Sequence, residues 1–296
     1  MVVEEKSFGP IRFIPGDNLG RYPFCHSLYI EGAGIIIDPA ANRELLADLR
    51  RNSEVKAVWL SHFHDDHWLH IDLFDDLPLW ISRIEAPPIS DFEIFMEWNG
   101  LDETEFRDYW RKYYLEECHF RPRTPAGFLQ GGDQIRLDTV TVEIILTPGH
   151  SPGHLAFFFK EPGVLFWGDY DLTSFGPWYG DPYSSISETI ASVNYLRSLP
   201  AKVWLTSHET GLFEEDPGSL WDDYLSVITK REEKLLELLA VPRTFQEVVD
   251  ACIVYGRPRE PRAYFVPGET KGMKKQLEYL MEQGRVVKEK DRFVKV

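Results

Sequence analysis

Four short apolar runs in this chain each stop at a histidine or an aspartate. Residues 55–60 lead into Ser61-His62-Phe63-His64-Asp65-Asp66-His67, and residues 140–146 into Thr147-Pro148-Gly149-His150. Residues 164–167 lead into Gly168-Asp169, and residues 203–205 into Thr206-Ser207-His208. Short apolar runs bounded by Gly- and Pro-containing turns read as buried β-strands. Imidazoles and carboxylates crowded at the ends of such strands are costly to dehydrate without a metal or a function. The strand ends are therefore expected to converge on one rim of a sheet.

The chain has nine histidines, and His62, His64, His67 and His70 fall within nine residues. Neutral imidazole is a good ligand for zinc and other first-row metals. His62 and His64 flank one residue, so in a tight loop both rings can reach one ion. Asp66 and His67 follow directly and point towards a second position. Two metals are expected rather than one.

On these residues the chain resembles the metallo-β-lactamase superfamily, and most its hydroxyacylglutathione hydrolase (glyoxalase II) branch. The HxHxDH motif is matched by His62, His64, Asp66 and His67, and the later elements by Pro148-Gly149-His150, Gly168-Asp169 and Ser207-His208. The likeness covers roughly residues 8–210. It implies an α+β fold, the four-layer αβ/βα sandwich, with a dinuclear site between two sheets. It implies that His62, His64 and His150 bind one metal, that Asp66, His67 and His208 bind the other, and that Asp169 bridges them. Asp66 would also orient the nucleophile as the catalytic acid–base residue. Two divalent ions, most simply Zn with Fe or Mn as alternatives, would lower the pKa of a shared water and supply the hydroxide that attacks an ester, thioester or lactone. The β-lactam-hydrolysing members commonly carry Cys where this chain has Asp169, which argues against β-lactams. A phosphodiesterase or ribonuclease, an iron-dependent sulfur dioxygenase and a DNA-binding regulator are the rival readings.

Other residues carry weaker signals. Asp38 ends an early strand and is a candidate hydrogen-bond partner for a ligand histidine. His26, His70 and His154 read mainly as packing residues. Tyr170, Asp171, Trp178 and Tyr179 follow Asp169 in a turn-rich loop, and Tyr170, Trp178 and Tyr179 are the substrate-contact candidates. Residues 84–120 are an aromatic, acidic insert. Phe106, Tyr109, Trp110 and Tyr113 at i, i+3, i+4, i+7 predict a helix that packs on the body or caps the site with an aromatic wall.

Residues 1–220 are read as the catalytic domain and 221–296 as a separate tail. The charged segment Lys230-Arg231-Glu232-Glu233-Lys234 and the leucines after it resemble the winged-helix-like tail of some superfamily members. Helices are expected at 222–240 and 270–284, with a capping box at Thr244 and Glu247 and a terminal two-stranded wing. The formal charge of −16 resides in residues 1–214, whereas 243–296 carries 12 Lys and Arg against 8 Asp and Glu. An acidic body repels phosphate backbones, so a small molecule rather than nucleic acid is the expected partner, and a homodimer is admitted. Cys25, Cys118 and Cys252 are too few and too scattered for a disulfide framework. Met1-Val2-Val3-Glu4-Glu5-Lys6 does not read as a secretory signal, and no run is long enough for a membrane helix, so a cytoplasmic location is expected.

Overall fold

The computed structural model describes residues 4–102 and 104–296. Met1–Val3 of the N-terminal reading and Glu103 of the insert lie outside the described residues. Seven strands form the first sheet, in chain order: β1 (Lys6–Phe8), β2 (Ile11–Ile14), β3 (Ser27–Ile30), β4 (Ile35–Ile37), β5 (Ala57–Trp59), β6 (Leu79–Ser82) and β7 (Gly127–Leu129). Its first four strands pair antiparallel, and β4 to β7 pair parallel. The second sheet has the order β13-β12-β11-β10-β9-β8. Its strands are β8 (Gln134–Leu137), β9 (Val140–Leu146), β10 (Leu155–Phe159), β11 (Val164–Phe166), β12 (Val203–Leu205) and β13 (Leu212–Phe213). The pairing is antiparallel except between β11 and β12.

Side-chain alternation decides what each face meets, because successive strand residues point to opposite sides. Leu28, Ile30, Ile35 and Ile37 point inward and pack with Ile144, Phe157, Phe159 and Phe166 of the second sheet. Tyr29 and Ile36, on the other face, join the core under helix α1 (Arg43–Asn52). The outer face of the second sheet presents Ile145, Ala156, Leu165 and Trp204 to α5 (Ile186–Leu196) through Val193 and Leu196. Two sheets between two helical layers make the expected αβ/βα sandwich.

Helix α1 starts where Asn42 accepts a hydrogen bond from the Leu45 amide, as an N-cap should. Its buried face is Leu46 and Leu49, and Leu45 is turned out. The insert folds as α2 (Ala86–Ser90), α3 (Phe92–Trp98) and α4 (Arg107–Glu116). In α4 the buried pair is Trp110 and Tyr114, while Tyr109 of the expected stripe is 47% exposed. The i, i+4 pair faces the core, and Phe106 sits at the cap rather than in the helix.

The tail begins with α6 (Leu220–Leu238), whose first turns pack Trp221 and Tyr224 onto the second sheet. A small sheet of β14 (Arg243–Thr244), β15 (Val286–Glu289) and β16 (Arg292–Lys295) follows, with α7 (Phe245–Asp250) and α8 (Arg262–Glu282). Its own core includes Leu235, Val248, Met273, Leu277 and Phe293. Both halves of the Thr244–Glu247 capping box form. Helix α8 starts eight residues before the expected position 270 and runs through Pro267. Proline cannot donate to the carbonyl four residues back, so the Ala263 oxygen is left without its helical partner. The Trp110 indole Nε1 donates to it instead, at 2.7 Å. Insert and tail are thereby joined above the rim where the strand ends meet.

Candidate metal centre

The loop after β5 carries His62 and His64, and a short turn of 3-10 helix at Asp65–His67 holds Asp66 and His67. The loop after β9 supplies His150, that after β11 Asp169 and that after β12 His208. Two of these turns require glycine. Gly149 has φ +130°, with the Thr189 backbone against it, and Gly168 has φ +61°, with the His154 ring where a Cβ would lie. A side chain at either place would clash and would also strain the backbone.

The ligand-type atoms fall into two groups. His62 Nε2, His64 Nδ1 and His150 Nε2 lie 2.9–3.2 Å from one another, and Asp169 Oδ2 is 3.3 Å from His150 Nε2. Asp169 Oδ1 lies 2.9 Å from His67 Nε2 and 3.2 Å from His208 Nε2. Asp66 completes this second group, with its carboxylate 3.8–3.9 Å from the same two nitrogens. Either group could hold a metal ion. Asp169 presents one oxygen to each.

The far nitrogen of every imidazole is already engaged. His62 Nδ1 meets Ser61 Oγ at 3.0 Å, and that hydroxyl donates to Asp38 Oδ2 at 2.7 Å. His67 Nδ1 donates to Asp38 Oδ2 at 2.9 Å, the partnership expected of Asp38. His64 Nε2 donates to Asp181 Oδ2 at 3.0 Å, and His150 Nδ1 to the Trp178 carbonyl at 3.2 Å. His208 Nδ1 donates to the Gly20 carbonyl. These outer bonds select the tautomer whose lone pair points into the cluster.

The donor set fits a cation. His67 Nε2 and Asp169 Oδ1 are buried, face each other, and make no hydrogen bond. With the Nδ1 proton committed to Asp38, a neutral His67 would turn a lone pair towards the carboxylate oxygen, so the pair calls for positive charge between its atoms, either a proton or a metal ion. The electrostatics agree. Burial opposes charge on His67 and His208, yet Asp169, joined by Asp38 at His67 and Asp66 at His208, outweighs it and holds His67 well above the usual histidine range and His208 up to about 10. The carboxylate draws protons there, and a divalent ion would meet the same demand. In the other group burial pushes His62 well below its ordinary value and His150 down to about 4, which favours neutral imidazoles ready to ligate, whereas Asp181 outweighs burial at His64 and raises it.

The metallo-beta-lactamase superfamily model matches residues 22–208, from the first loop at the site to the last histidine of the cluster. The chain belongs to this superfamily. It is similar to a hydroxyacylglutathione hydrolase from Thermosynechococcus vestitus, 27% identical over 182 residues that cover 60% of this chain and 59% of that protein. It is also similar to an atrochrysone carboxyl ACP thioesterase from Aspergillus fumigatus, 26% identical over 60% of this chain and 43% of the other. This chain thus spans three fifths or less of the length of these curated relatives. Among solved structures, a metallo-beta-lactamase family protein from Thermus thermophilus shares the fold over 97% of this chain and 99% of its own, at 23% identity and a TM-score of 0.70.

In this superfamily member the seven ligand-type residues come together, but other expected residues divide. Trp178 lines the cavity over the cluster, as does Asp171. Tyr170 and Tyr179 do not line it. Tyr170 is fully buried and bonds the Thr147 and Pro148 carbonyls, and Tyr179 donates to Gln276 Oε1 in the tail. His154 is buried against Thr147 Oγ1 and accepts from the Asp169 amide, which steadies that loop. His26 accepts from the Gly16 amide, and His70 joins neither donor group among the described residues.

Two acids escape a reading of the sequence. Glu85 is wholly buried and accepts from the Phe63 amide, the Gly153 amide and Ser151 Oγ, so it ties the two histidine loops together. Asp181 accepts from His64 Nε2, from Trp178 Nε1 and from Lys271 Nζ of α8, the last at 2.8 Å. Burial works against its charge, but Lys271 and His64 hold its carboxyl well below the usual range. Asp181 lies between Gly180 and Pro182 in a turn-rich loop, a weak signal among 48 acidic residues. No local pattern marks Lys271.

Proposed function

We propose that this protein is a hydrolase that uses two divalent metal ions, zinc first among them, to cleave a small ester, thioester or lactone. The observation that carries the reading is Asp169, which offers one carboxylate oxygen to each of two separate donor groups. The all-nitrogen-and-oxygen donor set suits zinc, with iron and manganese as the alternatives. His62, His64 and His150 would hold one ion, Asp66, His67 and His208 the other, and Asp169 both. Bound there, the ions supply Lewis acidity and a water acidified towards neutral pH.

The rest of the reaction falls to the chain's own groups. Asp66 would orient the attacking water with its free carboxylate lone pairs and take up a proton. Water oxygen bonds to the acyl carbon, the C–S or C–O bond breaks, and the departing thiol or alcohol leaves with a proton from that water. The fixed imidazoles keep the geometry unchanged through the step, which limits the reorganisation cost. The names of the two curated relatives, a hydroxyacylglutathione hydrolase and a thioesterase, support an acyl bond as the target. A small molecule is the partner we favour, because the cavity over the cluster is about 510 Å³, within the usual range for such ligands. No described helix is long and apolar enough to cross a membrane.

The test is a substrate panel of thioesters, lactones and phosphodiesters, each assayed with zinc, iron and manganese. Turnover of a thioester or lactone that stops on chelation and returns with metal is the expected result. Turnover confined to phosphodiesters, or oxygen consumption with iron and no hydrolysis, would overturn it.

A further inference from the structure

The cavity above the metal-type ligands is walled largely by aromatic rings from separate parts of the chain. Tyr22 comes from the first loop, Trp110 and Tyr114 from α4, Trp178 from the loop after Asp169, and Tyr255 and Tyr264 from the tail. Rings of this kind favour a large flat or extended apolar group over a small polar one. Three basic side chains also line the cavity: Arg21, Arg259 and Lys271. Two are already matched. Arg21 binds Glu209 at 3.0 Å, and Lys271 binds Asp181 at 2.8 Å.

Arg259 differs. Its guanidinium lies over the rings of Tyr255 and Phe265, at 6.0 and 5.7 Å from their centroids, and donates to the Tyr255 carbonyl at 3.2 Å. Among the described residues no carboxylate lies within ion-pair distance of it. Arg83, Arg231, Arg257 and Arg262 also lack an ion pair among the described residues, but of these arginines Arg259 is the one that lines the cavity. The rings and the carbonyl restrict the side chain, so less freedom is lost when an anion arrives. The remaining N–H groups suit a carboxylate or a phosphate. Arg259 also lies outside the segment matched by the superfamily model.

We propose that the substrate carries an aromatic or extended apolar group held between the rings of the cavity and an anionic group, carboxylate or phosphate, that pairs with Arg259 at the mouth. This rests on the hydrolase reading for the reaction, but not for the binding. Arg259 is a specificity residue of the tail and takes no part in bond cleavage. Because the side chain is exposed, its contribution is modest, roughly 3–10-fold in affinity.

The experiment compares the full-length zinc-loaded protein with its Arg259→Ala and Arg259→Glu variants on three matched phenylalkanoyl thioesters. One thioester is neutral, one carries a carboxylate on the thiol portion and one a phosphate. The expected result is a higher KM for an anionic thioester in Arg259→Ala and a further rise in Arg259→Glu. The neutral thioester should lose less than the anionic one in both variants. The two anionic arms decide between carboxylate and phosphate. Equal losses on neutral and anionic substrates, or no change on either, would overturn the proposal. Binding of 4-phenylbutyrate against 4-phenylbutanol, measured by calorimetry on the same three proteins, reads the anion site without turnover. If no thioester is hydrolysed but phenylbutyrate binding still depends on Arg259, the hydrolase reading fails and this one stands. If thioesters are hydrolysed and phenylbutyrate binds the variants as it binds the parent, the reverse holds.

Discussion

Replacing Asp169 with alanine is expected to remove activity by on the order of 10³-fold while the chain remains folded. The size follows from losing a shared ligand of two cations, whose charge stabilisation is worth several kcal/mol at about 1.4 kcal/mol per tenfold. The effect should exceed that of His64→Ala, which strips one group only. Folding should survive because the side chain is surrounded by imidazoles rather than by core residues. In the metal-free form the same substitution should lower the pKa of His208, since Asp169 is the main group raising it against burial. The assay is kcat on the best substrate of the panel, with circular dichroism to confirm the fold. Activity within tenfold of the parent would contradict the bridging role.

Asp181→Asn is expected to weaken metal binding at the His62–His64–His150 group by about 10–100-fold, the range typical of lost partners behind a ligand histidine. The amide has the same shape but no charge. If its oxygen accepts from His64 Nε2, its NH₂ is turned on Lys271 Nζ, which needs an acceptor. Lys271 is largely buried, so the substitution should also cost about 1.5–3 kcal/mol of stability. A double variant with Lys271→Met should recover much of that stability and little of the metal affinity. Affinity is read by competition with a chelator, and stability from urea midpoints. If Asp181→Asn loses stability and keeps its metal affinity, Asp181 only anchors the tail and does not position His64.

The parts of this site that are legible in the sequence are those made locally. His62, His64, Asp66 and His67 sit in one loop, and His150, Asp169 and His208 each follow a strand whose apolar run is plain. The second sheet is legible for the same reason, since the apolar runs at 140–146, 164–167 and 203–205 show in the sequence. Asp181 and Lys271 are not, because they are ninety positions apart and meet only through packing of the tail. Helix α8 reads short because Pro267-Gly268 looks like a break, and the group that compensates for the proline, Trp110, lies in another segment. Tyr109 shows the limit of periodicity. The spacing predicts the helix, but which of two neighbouring residues faces inward depends on what lies beneath. Tyr170 and Tyr179 are reasonable wall residues by position, yet their hydroxyls find buried partners instead.

The central claim is that two metal ions share Asp169. The most direct measurement is elemental analysis of the purified chain, stripped with chelator and then titrated with zinc while activity is followed. Two ions bound per chain are expected, with activity rising as they load and one of the two lost in His64→Ala. Fewer than one ion per chain, together with activity that a chelator leaves unchanged, would contradict it.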